Sequence, residues 1–389
     1  YTFDPIWNTI TSVTRYMDNG DNVTRTMEYD PNTGRMLKGT DALGNATRFT
    51  YTSSGEIKTI TDPLGNVVTL DYSPEGDLIS LKDPLGNTTT LLHDLAGRVT
   101  QATDPMSFSS QISLSPIDQV TQVEDPLGGK TQTNYRTDRN LGSVVNALGN
   151  TVESYDYDLA GRLTKKTDAQ GKASTFAYDA AGRLASATDR KGQMSTLVYD
   201  AGGRVTQGNL PGGVTIYFTY DAVGRLIALE EKGGASPSRF EYVYDNRDLL
   251  TQETIHQQGG SHVITYQYDA LSRRITRNLD NLDTTAYGYD KAGRVTSIKF
   301  NNEAPVSYEW DSASRLTVKT LSNGVRMEYQ YDAASRLLGI TYRKPDATVI
   351  NSIVYGYDAK GQRTSKTTTL PSNDETPFTA TYDTADRML

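Results

Sequence analysis

The chain has 389 residues, no cysteine, 25 tyrosines against 8 phenylalanines, 33 glycines and a formal net charge of −8. The missing cysteine excludes a disulfide framework, a thiolate zinc site and a cysteine nucleophile, and the acidic balance with scattered Lys and Arg argues against a nucleic-acid surface. A hydrophobic fraction of 36%, with no apolar run near the ~18 residues of a membrane helix, is low for one thick core but suits thin sheets with wetted faces.

The chain opens on Tyr1-Thr2-Phe3-Asp4-Pro5 and closes on Tyr382-Asp383-Thr384-Ala385-Asp386-Arg387-Met388-Leu389, both in mid-pattern, so a piece of something longer is expected. Between these ends one unit recurs. Its phase starts at Phe3 and runs through Tyr29, Tyr51, Tyr72, His93, Leu114 and Tyr135. Four copies then follow at 21-residue spacing: Tyr157-Asp158-Leu159-Ala160-Gly161-Arg162, Tyr178-Asp179-Ala180-Ala181-Gly182-Arg183, Tyr199-Asp200-Ala201-Gly202-Gly203-Arg204 and Tyr220-Asp221-Ala222-Val223-Gly224-Arg225. It continues through Tyr244, Tyr268, Tyr289-Asp290-Lys291-Ala292-Gly293-Arg294, Trp310, Tyr331, Tyr357 and Tyr382, eighteen copies in all. Between copies lies a second punctuation, strongest at Asp41-Ala42-Leu43-Gly44-Asn45, Asp62-Pro63-Leu64-Gly65-Asn66, Asp83-Pro84-Leu85-Gly86-Asn87 and Asp125-Pro126-Leu127-Gly128-Gly129.

Both marks spell turns. A type I turn favours Asp first, Pro second and Gly fourth, and a left-handed Gly after it completes a common hairpin loop. The connecting segments are strand-length and alternate, with an apolar residue after most arginines, such as Leu163, Leu184, Val205 and Leu226. No stretch keeps helical periodicity. The expected fold is all-β: tandem antiparallel β-hairpins over 1–389 as a single array of about 18 repeats, regular over 1–228 and with longer hairpin loops over 229–389. About 36 strands at ~4.8 Å make a ribbon of roughly 170 Å, which must coil into a spiral sheet because open twisted sheets rarely exceed ~10 strands. Tyrosines are expected to stack on one another, and each Arg to lie near an Asp of its own or the next turn.

The Tyr-Asp-x-x-Gly-Arg-Leu core, with Asp-Pro-Leu-Gly-Asn between copies, resembles the Rhs/YD-repeat family of bacterial polymorphic toxins, Tc-toxin BC components, wall-associated protein A and teneurins. The resemblance covers essentially the whole chain. It implies a β-strand spiral forming a shell or cocoon, which in bacterial members encloses a C-terminal toxic polypeptide and in teneurins presents adhesion surfaces. Implied partners are the rest of the same polypeptide: an N-terminal plug or targeting region and a C-terminal toxin cargo. A secreted or cell-surface location in a bacterium goes with this reading. Bacterial shells usually end in Asp-Pro-x-Gly-Leu with cleaving aspartates. Here the Asp-Pro-Leu-Gly copies are internal and followed by Asn or Gly, so they are assigned to turns.

No catalytic, cofactor or metal residue is expected. His93 takes a tyrosine position; His256 and His262 flank a hairpin tip without thiolate or carboxylate partners at ligand spacing. Asp18-Asn19-Gly20-Asp21-Asn22 lacks the remaining calcium-loop positions and falls where a turn is due. The framework residues are thus Tyr157, Asp158, Gly161, Arg162 and their equivalents at 178–183, 199–204, 220–225 and 289–294. After Tyr220 the spacing stretches to 24–26 residues in four units, at 232–238, 257–261, 344–347 and 371–377. These tips are expected to meet a neighbouring coil, a plug or cargo. The leading expectation is a non-enzymatic encapsulating shell. The rivals are an adhesion scaffold binding a cell-surface glycan or protein, and an open solenoid.

Overall fold

A computed structural model describes residues 1–16, 22–234, 236–369 and 378–381. The calcium-loop candidate at 18–21, the tip at 371–377 and the final copy from Tyr382 lie outside the described residues. Among the described residues thirty-five strands, from Thr2–Phe3 to Phe378–Thr379, form one sheet in which each strand pairs antiparallel with its neighbour in sequence. A single 3-10 turn at Pro211–Gly213 interrupts the pattern. No helix among the described residues is long and apolar enough to cross a membrane.

The sheet has no interior layer. Among the described residues the only buried hydrophobic side chains are those of Ile264 and Ala380, at 6% and 5% exposure. Stability therefore comes from the hydrogen-bonded ladder, cross-strand neighbours and the turns, rather than from sheet-on-sheet packing.

The two turn types share one geometry. In the Tyr-Asp turn at 158–162, the Gly161 N–H donates to the Asp158 carbonyl at 3.0 Å and the Asp158 N–H to the Arg162 carbonyl at 3.0 Å. The Asp62–Asn66 turn repeats both bonds at 3.0 Å. Glycine stands at the left-handed position, as at Gly182 with φ 82°, where a β-carbon costs roughly 1–2 kcal/mol.

A feature the repeat spacing does not disclose is a β-bulge before every described Tyr-Asp turn from Tyr29 onward. Ala177 pairs with Ser186 but Tyr178 pairs with Leu184, skipping a residue; the same slip occurs at Tyr199, Tyr220 and Tyr289. Each bulge adds local twist. Repeated once per unit, it curls the ribbon steadily instead of leaving it flat.

The curl brings distant repeats together. The Arg15 guanidinium donates to the Asn246 carbonyl at 3.2 Å, 231 positions on. The Arg336 guanidinium sits 5.6 Å from the Phe108 ring centre, and the Lys360 ammonium lies 2.8 Å from the Asp125 carboxylate with only 7% of its side chain exposed. These offsets agree at about 230 residues, so one circuit of the coil holds about eleven repeats. At ~4.8 Å per strand and barrel-like tilt, the coil is roughly 35–45 Å across.

The longer connections between Lys232 and Arg239, Gln257 and Gly260, and Arg343 and Val349 are hairpin ends on the edge opposite the Tyr-Asp turns. Gly233 (φ 81°) lies so close to Gly213 that an added β-carbon would overlap the Gly213 carbonyl oxygen. Gly233→Ala is expected to destabilise by about 2–3 kcal/mol, adding backbone displacement to left-handed strain. Urea titration checks this, with Gly192→Ala (φ 81°, open space around the new β-carbon) expected to lose only the strain of about 1 kcal/mol.

Candidate functional site

The residues that recur in sequence converge on one network, repeated from unit to unit. In the turn at 179–183, Asp179 Oδ1 accepts the N–H groups of Ala181 and Arg183, both at 2.9 Å, while Oδ2 accepts Arg183 Nε at 2.8 Å. Turns at Asp158–Arg162 and Asp221–Arg225 repeat this fork, as does Asp290–Arg294. At Asp200–Arg204 the bonds from the Arg204 backbone and Nε are 2.9 and 2.7 Å. The aspartate thus closes its own turn and fixes its arginine.

That arginine then reaches the next repeat. Arg183 Nη1 donates to the Asp200 carbonyl at 3.3 Å and its guanidinium lies 4.5 Å from the Tyr199 ring centre. Arg162 over Tyr178, Arg204 over Tyr220, Arg225 over Tyr244, Arg273 over Tyr289 and Arg294 over Trp310 follow the same rule, and Arg136 covers Tyr157. The tyrosine in turn anchors to the repeat before it. Tyr178 OH donates to the Leu163 carbonyl at 2.8 Å, Tyr199 to Leu184 at 2.7 Å, Tyr220 to Val205 at 2.9 Å and Tyr289 to Arg274 at 2.8 Å. Trp310 substitutes its indole N–H, donating to the Val295 carbonyl at 2.8 Å.

Each repeat is therefore tied to its neighbour through an arginine over a ring and a phenol on a carbonyl. Tyrosines do not stack on tyrosines among the described residues. Among the described residues the ring pair found is Tyr1–Phe3, with centroids 6.4 Å apart. A guanidinium covers each of these framework rings instead, and a cation over a ring face adds about 0.5–1 kcal/mol or more when desolvated. Tyr289→Phe is expected to cost about 1 kcal/mol, one net hydrogen bond, with the chevron or urea midpoint as its measure.

Charge follows the same wiring. Backbone N–H and guanidinium bonds from Arg162, Arg183 and Arg204 hold Asp158, Asp179 and Asp200 below the usual carboxylate range. At Asp221 the Arg225 guanidinium is the leading cause. At Asp290 burial pushes upward, but bonds from the Arg294 side chain and backbone outweigh it. The Arg98 guanidinium, seconded by its backbone N–H, takes Asp94 down to about 2. Burial pushes the Tyr289 phenol up.

The histidines enter local contacts. His256 Nδ1 meets Ser261 Oγ at 2.7 Å and Nε2 meets Glu241 at 3.3 Å, and His262 Nδ1 meets Asp280 at 2.7 Å. Carboxylates do therefore lie beside both, although each histidine has its own and the two are not joined through a shared ligand. His93 ends the strand Thr88–His93 in the tyrosine position.

With this geometry established, the likeness to known proteins is specific. The teneurin YD-shell family matches residues 131–289, and the RHS repeat matches 72–105, 289–326 and 310–349. The chain carries RHS/YD repeats over these segments. No curated protein matches it. The crystal structure of TcdB2–TccC3 aligns over 94% of this chain and 30% of its own length, at 12% identity and a TM-score of 0.54. A Photorhabdus luminescens Tc holotoxin pore aligns over 94% of this chain and 22% of its own, at 16% identity and a TM-score of 0.44. The RHS/YD array is thus similar in fold to TcdB2–TccC3 and spans about three-tenths of that chain's length.

Proposed function

We propose that this chain is part of the wall of a non-enzymatic container, enclosing a C-terminal toxin segment of its own polypeptide and helping to deliver it from a secreted or surface-exposed bacterial protein. The observation that carries the reading is the contact between successive circuits of the coil at a constant offset near 230 residues. A ribbon that only presented a surface would not need its edges to meet. A wall does. The recurring Asp, Arg and Tyr groups are engaged in turn closure and repeat-to-repeat bonds, which leaves them a structural role rather than a chemical one.

Limited proteolysis of the full-length polypeptide tests the proposal. The segment downstream of the repeats is expected to resist protease while the wall is folded and to be cut once the wall is unfolded. Cleavage in the intact protein as fast as in the isolated segment would remove containment and leave adhesion as the better reading.

A further inference from the structure

The regular repeats are joined by two ties: a guanidinium over the next framework ring, and that ring's polar hydrogen on the carbonyl of the repeat before it. Both lapse together over one internal stretch. At the arginine position of the Tyr-Asp turns, 56 holds Glu, 77 Asp and 119 Gln. Among the described residues, covered framework rings stop at Tyr51 and resume at Tyr157. Phenol-to-carbonyl bonds run through Tyr29, Tyr51 and Tyr72 and resume at Tyr178. The units at His93, Leu114 and Tyr135 therefore have neither tie.

Each gap has a local cause. The carbonyl that Tyr135 would take, on Val120, accepts the Thr133 hydroxyl instead. At 114 the arginine is in place and the ring is missing. Arg98 Nε and Nη2 lie 2.8 and 2.6 Å from Asp94, and Nη1 donates to the Ser115 carbonyl at 2.9 Å and to Asp118 at 2.8 Å. Arg225 makes the same set with Asp221, the Asp245 carbonyl and Asp248, and covers Tyr244 at 5.2 Å. Beneath Arg98 the corresponding residue is Leu114. The backbone ladder continues through the stretch, so what it lacks is the side-chain layer that crosses from repeat to repeat.

We propose that residues 93–135 form a seam at which the sheet opens locally ahead of the regular repeats, and that the later circuit braces it. A segment opens at a free energy set by the contacts that cross it, and here two contacts per repeat are gone. The brace is Arg336 against Phe108 and Lys360 against Asp125, both inside the seam. Release of the brace and opening of the seam are thereby coupled, and a gap forms in the ribbon while the forks on either side stay closed. The seam is a property of the sheet and holds whatever the coil encloses.

Hydrogen exchange read by mass spectrometry tests this on the whole chain. With intrinsic rates corrected, amides in Val99–Thr103, Ser109–Leu114 and Val120–Glu124 are expected to exchange about tenfold faster than those in Leu184–Thr188, Met194–Tyr199 and Val205–Leu210. Leu114→Tyr puts a ring under Arg98, with the Val99 carbonyl 15 positions back as Leu163 is from Tyr178, and is expected to slow exchange at 99–114 several-fold. Tyr199→Leu makes the reverse change and is expected to speed exchange over 184–210 about tenfold, which keeps the test decisive if a larger side chain at 114 disturbs folding. Lys360→Met is expected to speed exchange at 120–124 and to leave 184–210 unchanged. Equal rates in the two blocks of the unaltered chain, or no response to Tyr199→Leu, overturn the seam. A seam indifferent to Lys360→Met overturns the brace.

Discussion

Arg336→Ala is expected to destabilise the protein by about 3 kcal/mol, the scale of removing one partner from a largely buried ion pair. Arg336 joins its own turn, the next repeat and the preceding circuit. Its Nε lies 2.6 Å from Asp332, whose side chain is 6% exposed, and its Nη1 donates to the Asp358 carbonyl at 3.0 Å. The same guanidinium covers Tyr357 at 5.3 Å and Phe108 at 5.6 Å. Removing it strands a buried carboxylate and loosens its own turn, the next repeat and the preceding circuit at once. Arg204→Ala cuts an equivalent fork whose arginine is 42% exposed, so solvent takes over its partners and a far smaller loss is expected. Paired urea unfolding curves check the contrast; equal losses would mean that contact with the preceding circuit contributes nothing.

Acid is expected to unfold the array between about pH 4 and pH 2. Asp94 is held at about 2, and Asp158, Asp179, Asp200, Asp221, Asp245 and Asp290 are all lowered. A carboxylate depressed in the folded state contributes stability that is fully present above its unfolded value and is lost as pH falls through its folded value. Because the same group recurs in consecutive turns, the protonations compound along the array. Circular dichroism at 25 °C across this range gives the midpoint. A midpoint that does not move when Asp94, Asp179 and Asp221 are changed to Asn would assign acid lability to other groups.

Much of this architecture is legible in the sequence because each signal is local. Tyr157-Asp158 to Arg162 states a turn, and its return 21 residues later states a hairpin array. Period-two alternation then gives strands without reference to distant residues. The chemistry of the fork was half legible: Asp beside Arg follows from a four-residue separation, but the guanidinium over the next tyrosine depends on inter-repeat distance. The bulge at Tyr178 was hidden because a skipped residue such as Ala185 leaves no compositional mark. Contact between Asp125 and Lys360 was hidden for a different reason, since it depends on twist accumulated over some two dozen strands.

The ribbon coils until successive circuits touch. Nitroxides at Ala102→Cys and Ala359→Cys in an otherwise unaltered chain measure it directly, because both positions border the junction where Lys360 meets Asp125. The coil predicts a narrow distribution within about 20–30 Å, labels included. An uncoiled ribbon separates the same positions by some two dozen strands, about 110 Å at ~4.8 Å each, and a distribution with no short component would rule out contact between circuits.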